Sequence, residues 1–303
     1  MGHKGVKIFE TVMRPIQRLP LKFHYAWGKL FSGFLKNVMH YRRDEIIINL
    51  SRSFPDKKYK EIKTIADKFY DHLGEIFAET MWFGGQGKQL DKMHAQHVCE
   101  VTNMDELRTA FNNSPSIMLI TSHFGNWEML GGMFEFDYKT PQVESSFNAN
   151  DICVVYKELR NKFWDEFIGD NRCAVLTDFH GYTESMKVLR YAVEHKDVKR
   201  CYVFPTDQFP YGKAARYELE SFMNQKTYAM TGAISLARKF GMAVYYMSMD
   251  KPEKGKYVTT FKKVSDDASQ SSVGELTETY YKLLEEDINR RPENYLWSHK
   301  RWK

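Results

Sequence analysis

From Ile117 onward the chain repeats one device, a short and almost uninterrupted apolar run followed by a stretch of helical spacing. The runs are Ile117–Thr121, Ile152–Tyr156, Cys173–Thr177, Cys201–Phe204 and Ala243–Met249. Runs this short and this apolar predict strands buried on both faces, and such strands need helices above and below them. Helical patterns at about 127–134, 158–168, 184–195 and 228–240, with a last long one at 275–290, supply that cover. The alternation predicts an α/β fold, a mixed, mostly parallel sheet covered by helices on both faces. No repeat of fixed period and no Gly/Ser/Pro linker divides the chain, so 91–303 reads as the α/β core and 1–90 as a helical, membrane-associating layer continuous with it.

That N-terminal layer carries two amphipathic segments. In the first, Phe23, Trp27, Leu30, Phe31, Phe34, Leu35 and Val38 recur at helical spacing, with Lys22, His24, Lys29, Lys36 and Asn37 between them. Two readings fit: a surface helix packed on the rest of the domain, and a helix lying in the plane of a membrane with Arg42-Arg43 at the head groups. In the second, from about 61 to 82, Ile62, Ile65, Ala66, Phe69, Leu73, Ile76, Phe77 and Met81 share one face, and Gly84-Gly85-Gln86-Gly87 is expected to end the helix.

Composition narrows the function classes. The 303 residues are 43% hydrophobic and 27% charged, which permits a real core and excludes a disordered or collagen-like chain. A net charge of +5 over this length is too thin a basis for nucleic-acid binding, so no nucleic-acid partner is expected. Aromatic residues reach 15%, which suits a lipid interface and a well-filled core equally. Cys99, Cys153, Cys173 and Cys201 form no C-x-x-C pair and no metal-ligand spacing, and read as buried free thiols. H-E-x-x-H, a G-x-G-x-x-G after a strand and G-x-x-x-x-G-K-[ST] are all missing, so neither a metal nor a nucleotide cofactor is expected. No secretory leader follows MGHKGVK, and no window approaches about 18 consecutive apolar residues. The expectation is a cytosol-facing protein that does not span a bilayer.

Chemistry concentrates where the run Ile117–Thr121 enters Ser122-His123-Phe124-Gly125-Asn126-Trp127-Glu128. On one continuous helix, residues five apart point about 140° away from each other, so His123 and Glu128 would not meet. With His123 at a strand end, Glu128 in the first helical turn and a bend at Gly125, they can. A neutral imidazole with a carboxylate on its other nitrogen suits deprotonation of an alcohol. No G-x-S-x-G elbow is present, which favours direct attack by a bound acceptor over a covalent acyl-enzyme. Backbone N–H groups near Gly125 to Trp127 are candidates for an oxyanion site, and a hydrogen-bonded structural histidine is the rival account of His123.

SHFGNWE after an apolar strand resembles the His-x4-Asp/Glu motif of the lysophospholipid acyltransferase superfamily, and more narrowly the late acyltransferases of lipid A biosynthesis, the bacterial lauroyl/myristoyl transferase family. Further segments match in the same order: Tyr41-Arg42-Arg43, Asn49-Leu50 and Ser53-Phe54-Pro55; Val155-Tyr156-Lys157-Glu158-Leu159-Arg160-Asn161 with Arg172 downstream; Asp207-Gln208; and the end Arg291-Pro292-Glu293-Asn294-Tyr295-Leu296-Trp297-Ser298-His299-Lys300-Arg301-Trp302. The resemblance covers nearly the whole chain.

It implies transfer of a fatty acyl group from acyl carrier protein to a hydroxyl of a membrane lipid acceptor, a lipid A precursor or a related glycolipid or aminolipid. His123 is then the general base and Glu128 its partner. Gly125, Asn126, Trp127 and Tyr156 would shape the substrate site, and Arg160 and Arg172 are candidates for phosphate or carbonyl contact, a solvated helix face being the alternative. Asp207 and Gln208 fall at a strand end, where α/β sites gather, although a turn-stabilising role also fits. Members usually begin with a more apolar, membrane-inserting segment; here Lys22, His24, Lys29 and Lys36 interrupt it. Shallow in-plane association with an anionic bilayer, at the cytoplasmic face of a bacterial inner membrane, is therefore expected. A thioesterase and a non-catalytic membrane-binding protein on the same fold are the rival functions.

Overall fold

The computed structural model describes residues 3–86, 94–129, 151–159, 161–173, 182–184, 187–211 and 216–303. The chain opens with four helices: α1 (His3–Gln17), α2 (Leu21–Asn37), α3 (Arg43–Ser53) and α4 (Tyr59–Gln86). A sheet of seven strands follows, in the order β1 (Cys99–Val101), β9 (Lys256–Ser265), β8 (Ala243–Glu253), β2 (Ile117–Thr121), β5 (Cys201–Pro205), β3 (Ile152–Tyr156), β4 (Tyr182–Glu184). Every pairing is parallel except β8 with β9. A separate antiparallel hairpin joins β6 (Arg216–Phe222) to β7 (Gln225–Met230). The remaining helices are α5 (Met104–Asn113), α6 (Lys162–Cys173), α7 (Val188–Glu194), α8 (Gly232–Lys239) and α9 (Val273–Arg290).

The central strands bury both faces, as their apolar composition requires. Every residue of β2 is buried, and its side chains alternate between two core clusters, Met118 and Ile120 in one, Ile117 and Leu119 in the other. This is the helix-covered mixed sheet the alternation predicts. Differences lie mainly in the elements. Cys173 closes α6, and the rest of the run to Thr177 lies outside the described residues. The helix expected from 228 begins at Gly232, because Tyr228–Met230 is spent on the β6–β7 hairpin.

Helix α4 continues through Gly84 and Gly85 and ends at Gln86, inside the glycine run expected to end it, and Gly87 lies outside the described residues. These glycines serve close approach. A Cβ on Gly84 would lie 2.0 Å from Asn171 Oδ1, and one on Gly85 2.4 Å from the backbone carbonyl carbon of Gln17. The Gln17 side-chain amide donates to Asn171 Oδ1 at 3.0 Å, so α1, α4 and α6 meet at one point.

Helix α2 is turned inside out relative to a soluble surface helix. It presses His24, Gly28, Ser32 and Leu35 inward, while Phe23, Trp27 (56% exposed), Leu30 (65%), Phe34 and Val38 face outward. Small groups permit this orientation: a Cβ on Gly28 would sit 2.3 Å from the Gly74 carbonyl oxygen of α4. His24 Nε2–H donates to the Gln17 carbonyl at 3.2 Å, and Ser32 Oγ to that of Lys29 at 3.1 Å, so the buried polar groups are satisfied. Ile8, Val12 and Ile16 extend the exposed apolar surface along α1. Among the described residues, no helix is long and apolar enough to cross a membrane.

Candidate active site

Strands β2, β5 and β3 lie side by side, run in the same direction and end at the same edge of the sheet. Edges of this kind are where α/β folds place ligands, because loops from several strands converge there. The register pairs Thr121 with Pro205, and two residues further on each chain come His123 and Asp207. The Thr206 N–H donates to the Thr121 carbonyl at 3.0 Å, so the pairing continues past the strand ends. His123 Nδ1 then meets Asp207 Oδ1 at 2.8 Å, and the Gln208 side-chain amide lies 3.2 Å from His123 Nε2.

The carboxylate bonded to the imidazole at Nδ1 is Asp207, a residue that the sequence expectation did not pair with His123. The reason is topological. Parallel register delivers Asp207 from the neighbouring strand, whereas Glu128 sits in a short 3-10 turn, Trp127–Met129, beyond the bend at Gly125. Gly125 has φ +73°, and a Cβ there would lie 2.5 Å from the Met249 carbonyl oxygen, so only glycine turns the chain at this point. Trp127 packs its ring on the imidazole, with centroids 5.4 Å apart. Glu128 is half-buried, and its N–H donates to Asn126 Oδ1 at 3.1 Å.

Two of the amides between Gly125 and Trp127 that were expected to serve an oxyanion are engaged within the fold. The Gly125 N–H donates to the Asn294 carbonyl at 3.1 Å and the Asn126 N–H to Met249 Sδ at 3.3 Å, so both are taken. Tyr156 stands half-buried at the end of β3, on the same edge as His123 and Asp207. Arg160 and the Arg172 side chain lie outside the described residues.

Asp207 is 1% exposed. Burial alone would raise its carboxyl, but the facing His123 charge, with hydrogen bonds from His123 and from its own backbone, outweighs that and holds it below the usual carboxylate value. In the neutral ring Nδ1–H donates to this carboxylate, and the Nε2 lone pair accepts from the Gln208 side-chain amide. Nearby His299, whose Nε2 accepts the Phe209 N–H at 3.4 Å, is held down to about 4, chiefly by burial.

The frame around this pair explains why distant motifs occur together. The C-terminal segment runs antiparallel against the turn: Phe124 pairs with Tyr295, and the Leu296 N–H donates to the His123 carbonyl at 3.0 Å. Asn49 Nδ2 in turn donates to the carbonyls of Trp297 and His299, and Arg42 to that of Ser298. From α9, the Tyr280 hydroxyl holds the Thr121 carbonyl at 2.9 Å, and the Tyr281 hydroxyl holds that of Thr206 at 3.1 Å. Adjacent tyrosines thus brace the last peptides before the two catalytic candidates. Neither tyrosine is legible as a site residue from sequence, because each reads as one more apolar position on a long helix.

A sequence profile of the bacterial lipid A biosynthesis acyltransferases matches residues 5–303. The chain belongs to this family. In the comparison with curated proteins no match was found. Membership makes the protein an acyltransferase of lipid A biosynthesis by kind, and the YRR, NL, SHFGNWE and PENYLWSH segments of this chain bond to each other around His123.

Proposed function

We propose that the protein transfers a fatty acyl group from an acyl-carrier-protein thioester to a hydroxyl of a lipid A precursor or a related membrane glycolipid or aminolipid. The observation that carries this reading is the His123–Asp207 contact at 2.8 Å at the shared edge of three parallel strands. The acceptor hydroxyl takes the place of the Gln208 amide at His123 Nε2. Its oxygen attacks the thioester carbonyl as its proton passes to Nε2, and Asp207 stabilises the imidazolium. The tetrahedral oxyanion collapses, the C–S bond breaks, and the carrier thiolate recovers the proton from His123. The products are an ester and a free carrier thiol. The Gln208 amide, freed from the imidazole, faces the developing oxyanion. Glu128 stays in the site as a second carboxylate beside the acceptor, since a carboxylate on Nε2 would occupy the position the hydroxyl needs.

The exposed apolar faces of α1 and α2 support action at a lipid surface, on the cytoplasmic face of the inner membrane. Each large apolar side chain recovers about 1.5–3 kcal/mol when it leaves water, so Trp27, Leu30 and Phe34 alone give a strong drive for in-plane docking. Lys22 and Lys29 on the same helix are exposed and suit anionic head groups. The test gives purified protein a carrier-bound acyl thioester with and without a lipid acceptor, with products read by mass spectrometry. An acceptor-dependent gain of one acyl unit that is lost in His123→Ala supports the reading. Fast release of free fatty acid with no acylated lipid overturns it.

A further inference from the structure

Helix α4 carries two buried polar residues seven positions apart, hence on one face and two turns from each other. Both reach the turn that follows His123. The first is His72, whose Nε2–H donates to the Gly125 carbonyl at 3.0 Å while its Nδ1 accepts from Lys251 Nζ at 3.0 Å. The second is Glu79, 1% exposed, on which three donors converge. The Tyr25 hydroxyl bonds Oε1 at 2.7 Å, and the Tyr257 hydroxyl and Asn126 Nδ2 both bond Oε2 at 2.6 Å. The mechanism above uses none of these groups.

Asn126 gives Glu79 its consequence. The Asn126 side chain is fully buried and bonded at both ends with opposite polarity: Oδ1 accepts the Glu128 N–H at 3.1 Å, and Nδ2 donates to Glu79. An acceptor at position 79 therefore decides which way the amide points. Without it the amide is free to turn over and set its NH2 against the Glu128 N–H, donor against donor, at the base of the turn that carries Trp127 and Glu128. Burial pushes the Glu79 carboxyl up and the three hydrogen bonds and Lys251 oppose that, a balance that makes a hydrogen-bonding role fit better than a charge role.

We propose that Glu79 is a positioning residue for acyl transfer, which fixes the Asn126 amide and through it the turn from His123 to Glu128. This rests on the function proposed above. Misplacing a reacting group by about 1 Å costs on the order of 10²-fold in rate, and such a cost falls on kcat when the substrate sites themselves are untouched.

The experiment measures kcat, KM and thermal unfolding of the full chain with carrier thioester and lipid acceptor, for Glu79→Ala, Glu79→Gln, Asn126→Asp and the double variant Glu79→Gln/Asn126→Asp. Glu79→Ala should lower kcat about 100-fold with both KM values within about threefold. Glu79→Gln should stay within about fivefold of the parent, because its oxygen still accepts from Asn126 and Tyr257 while the Tyr25 hydroxyl rotates to accept its NH2. Asn126→Asp sets two carboxyls against each other and should lose activity, and adding Glu79→Gln, which restores a donor opposite an acceptor, should recover at least about tenfold. That recovery decides the matter even if Glu79→Ala fails to fold, since bulk destabilisation by two substitutions would accumulate instead. Equal loss in Asn126→Asp with Glu or Gln at 79, or a folded Glu79→Ala with more than about a third of parental kcat, overturns the proposal. His123→Ala run alongside separates the two readings: activity there defeats the proposed mechanism, whereas a dead His123→Ala beside a fully active Glu79→Ala defeats only the role of Glu79.

Discussion

Replacing Asp207 by Asn tests which carboxylate governs the base. The contact at stake is buried, charge-assisted and 2.8 Å long. Hydrogen bonds to charged groups contribute about 1.5–3 kcal/mol, and at about 1.4 kcal/mol per factor of ten this alone slows the reaction roughly 10- to 150-fold. The amide adds a second effect. An Asn that turns its NH2 toward Nδ1 forces the ring proton onto Nε2, where the base must be free, and this tautomer error costs about 10⁴-fold in serine-protease triads. The expected fall in kcat for Asp207→Asn is therefore between about 10² and 10⁴, with a smaller loss for Glu128→Gln. Steady-state transfer with saturating thioester and acceptor reads it. Asp207→Asn with more than about a tenth of parental kcat would refute the assignment of the orienting carboxylate, and the larger loss in Glu128→Gln would return that role to Glu128. The same variant has a stability signature. The native Asp207 carboxyl lies below its unfolded value of about 3.9, so its stabilisation is fully present above that pH and is lost as pH falls through the native value. Parent and Asp207→Asn should differ in melting temperature at pH 7 and converge toward pH 2.

Other expectations follow from single contacts. Gly74→Ala places a Cβ 2.3 Å from the Gly28 carbonyl oxygen, well inside contact distance, and should cost about 1–3 kcal/mol, read as a lowered melting temperature; an unchanged melt would mean that α2 and α4 do not pack this closely. His299 is held down to about 4 while an unfolded histidine titrates near 6.5, so the unfolded chain binds the extra proton and native stability falls as pH drops from about 6.5 toward 4. His299→Gln should flatten that decline, by on the order of 1 kcal/mol given the partial exposure of the ring, in denaturant titrations at pH 7 and pH 4.5. Trp27→Glu with Leu30→Glu should abolish sedimentation with vesicles of mixed zwitterionic and anionic lipid and leave thermal unfolding within about 0.5 kcal/mol, because both side chains are exposed; retained binding would move the docking face elsewhere.

Much of the architecture is legible in the order of residues. Ile117–Thr121 and Ile152–Tyr156 are strands over the very residues their apolar runs mark, since a strand buried on both faces leaves no polar position to blur its limits. The hairpin of Arg216–Phe222 and Gln225–Met230 and the long strand Lys256–Ser265 escape the same reading, because their half-buried, alternating positions carry Lys, Thr and Glu and resemble surface chain. Gly84 and Gly85 lie at the end of α4 as expected, but the close approach of Gln17 and Asn171 that they also permit is hidden until those neighbours are known.

What the linear order of residues settled by itself is local: apolar runs that must be buried, a histidine placed just past one of them, a glycine two residues on where the chain can bend, and motifs that resemble the family's. The partner of that histidine was decided elsewhere. Glu128 is five residues away and Asp207 is 84, yet register between β2 and β5 carries Asp207 to the imidazole, because parallel neighbours that end together bring their next residues side by side. The outward face of α2 was likewise undetermined, since its pattern suits burial or membrane contact. Close packing of Gly28 on Gly74 settled it by turning the side that carries His24, Gly28, Ser32 and Leu35 against α4.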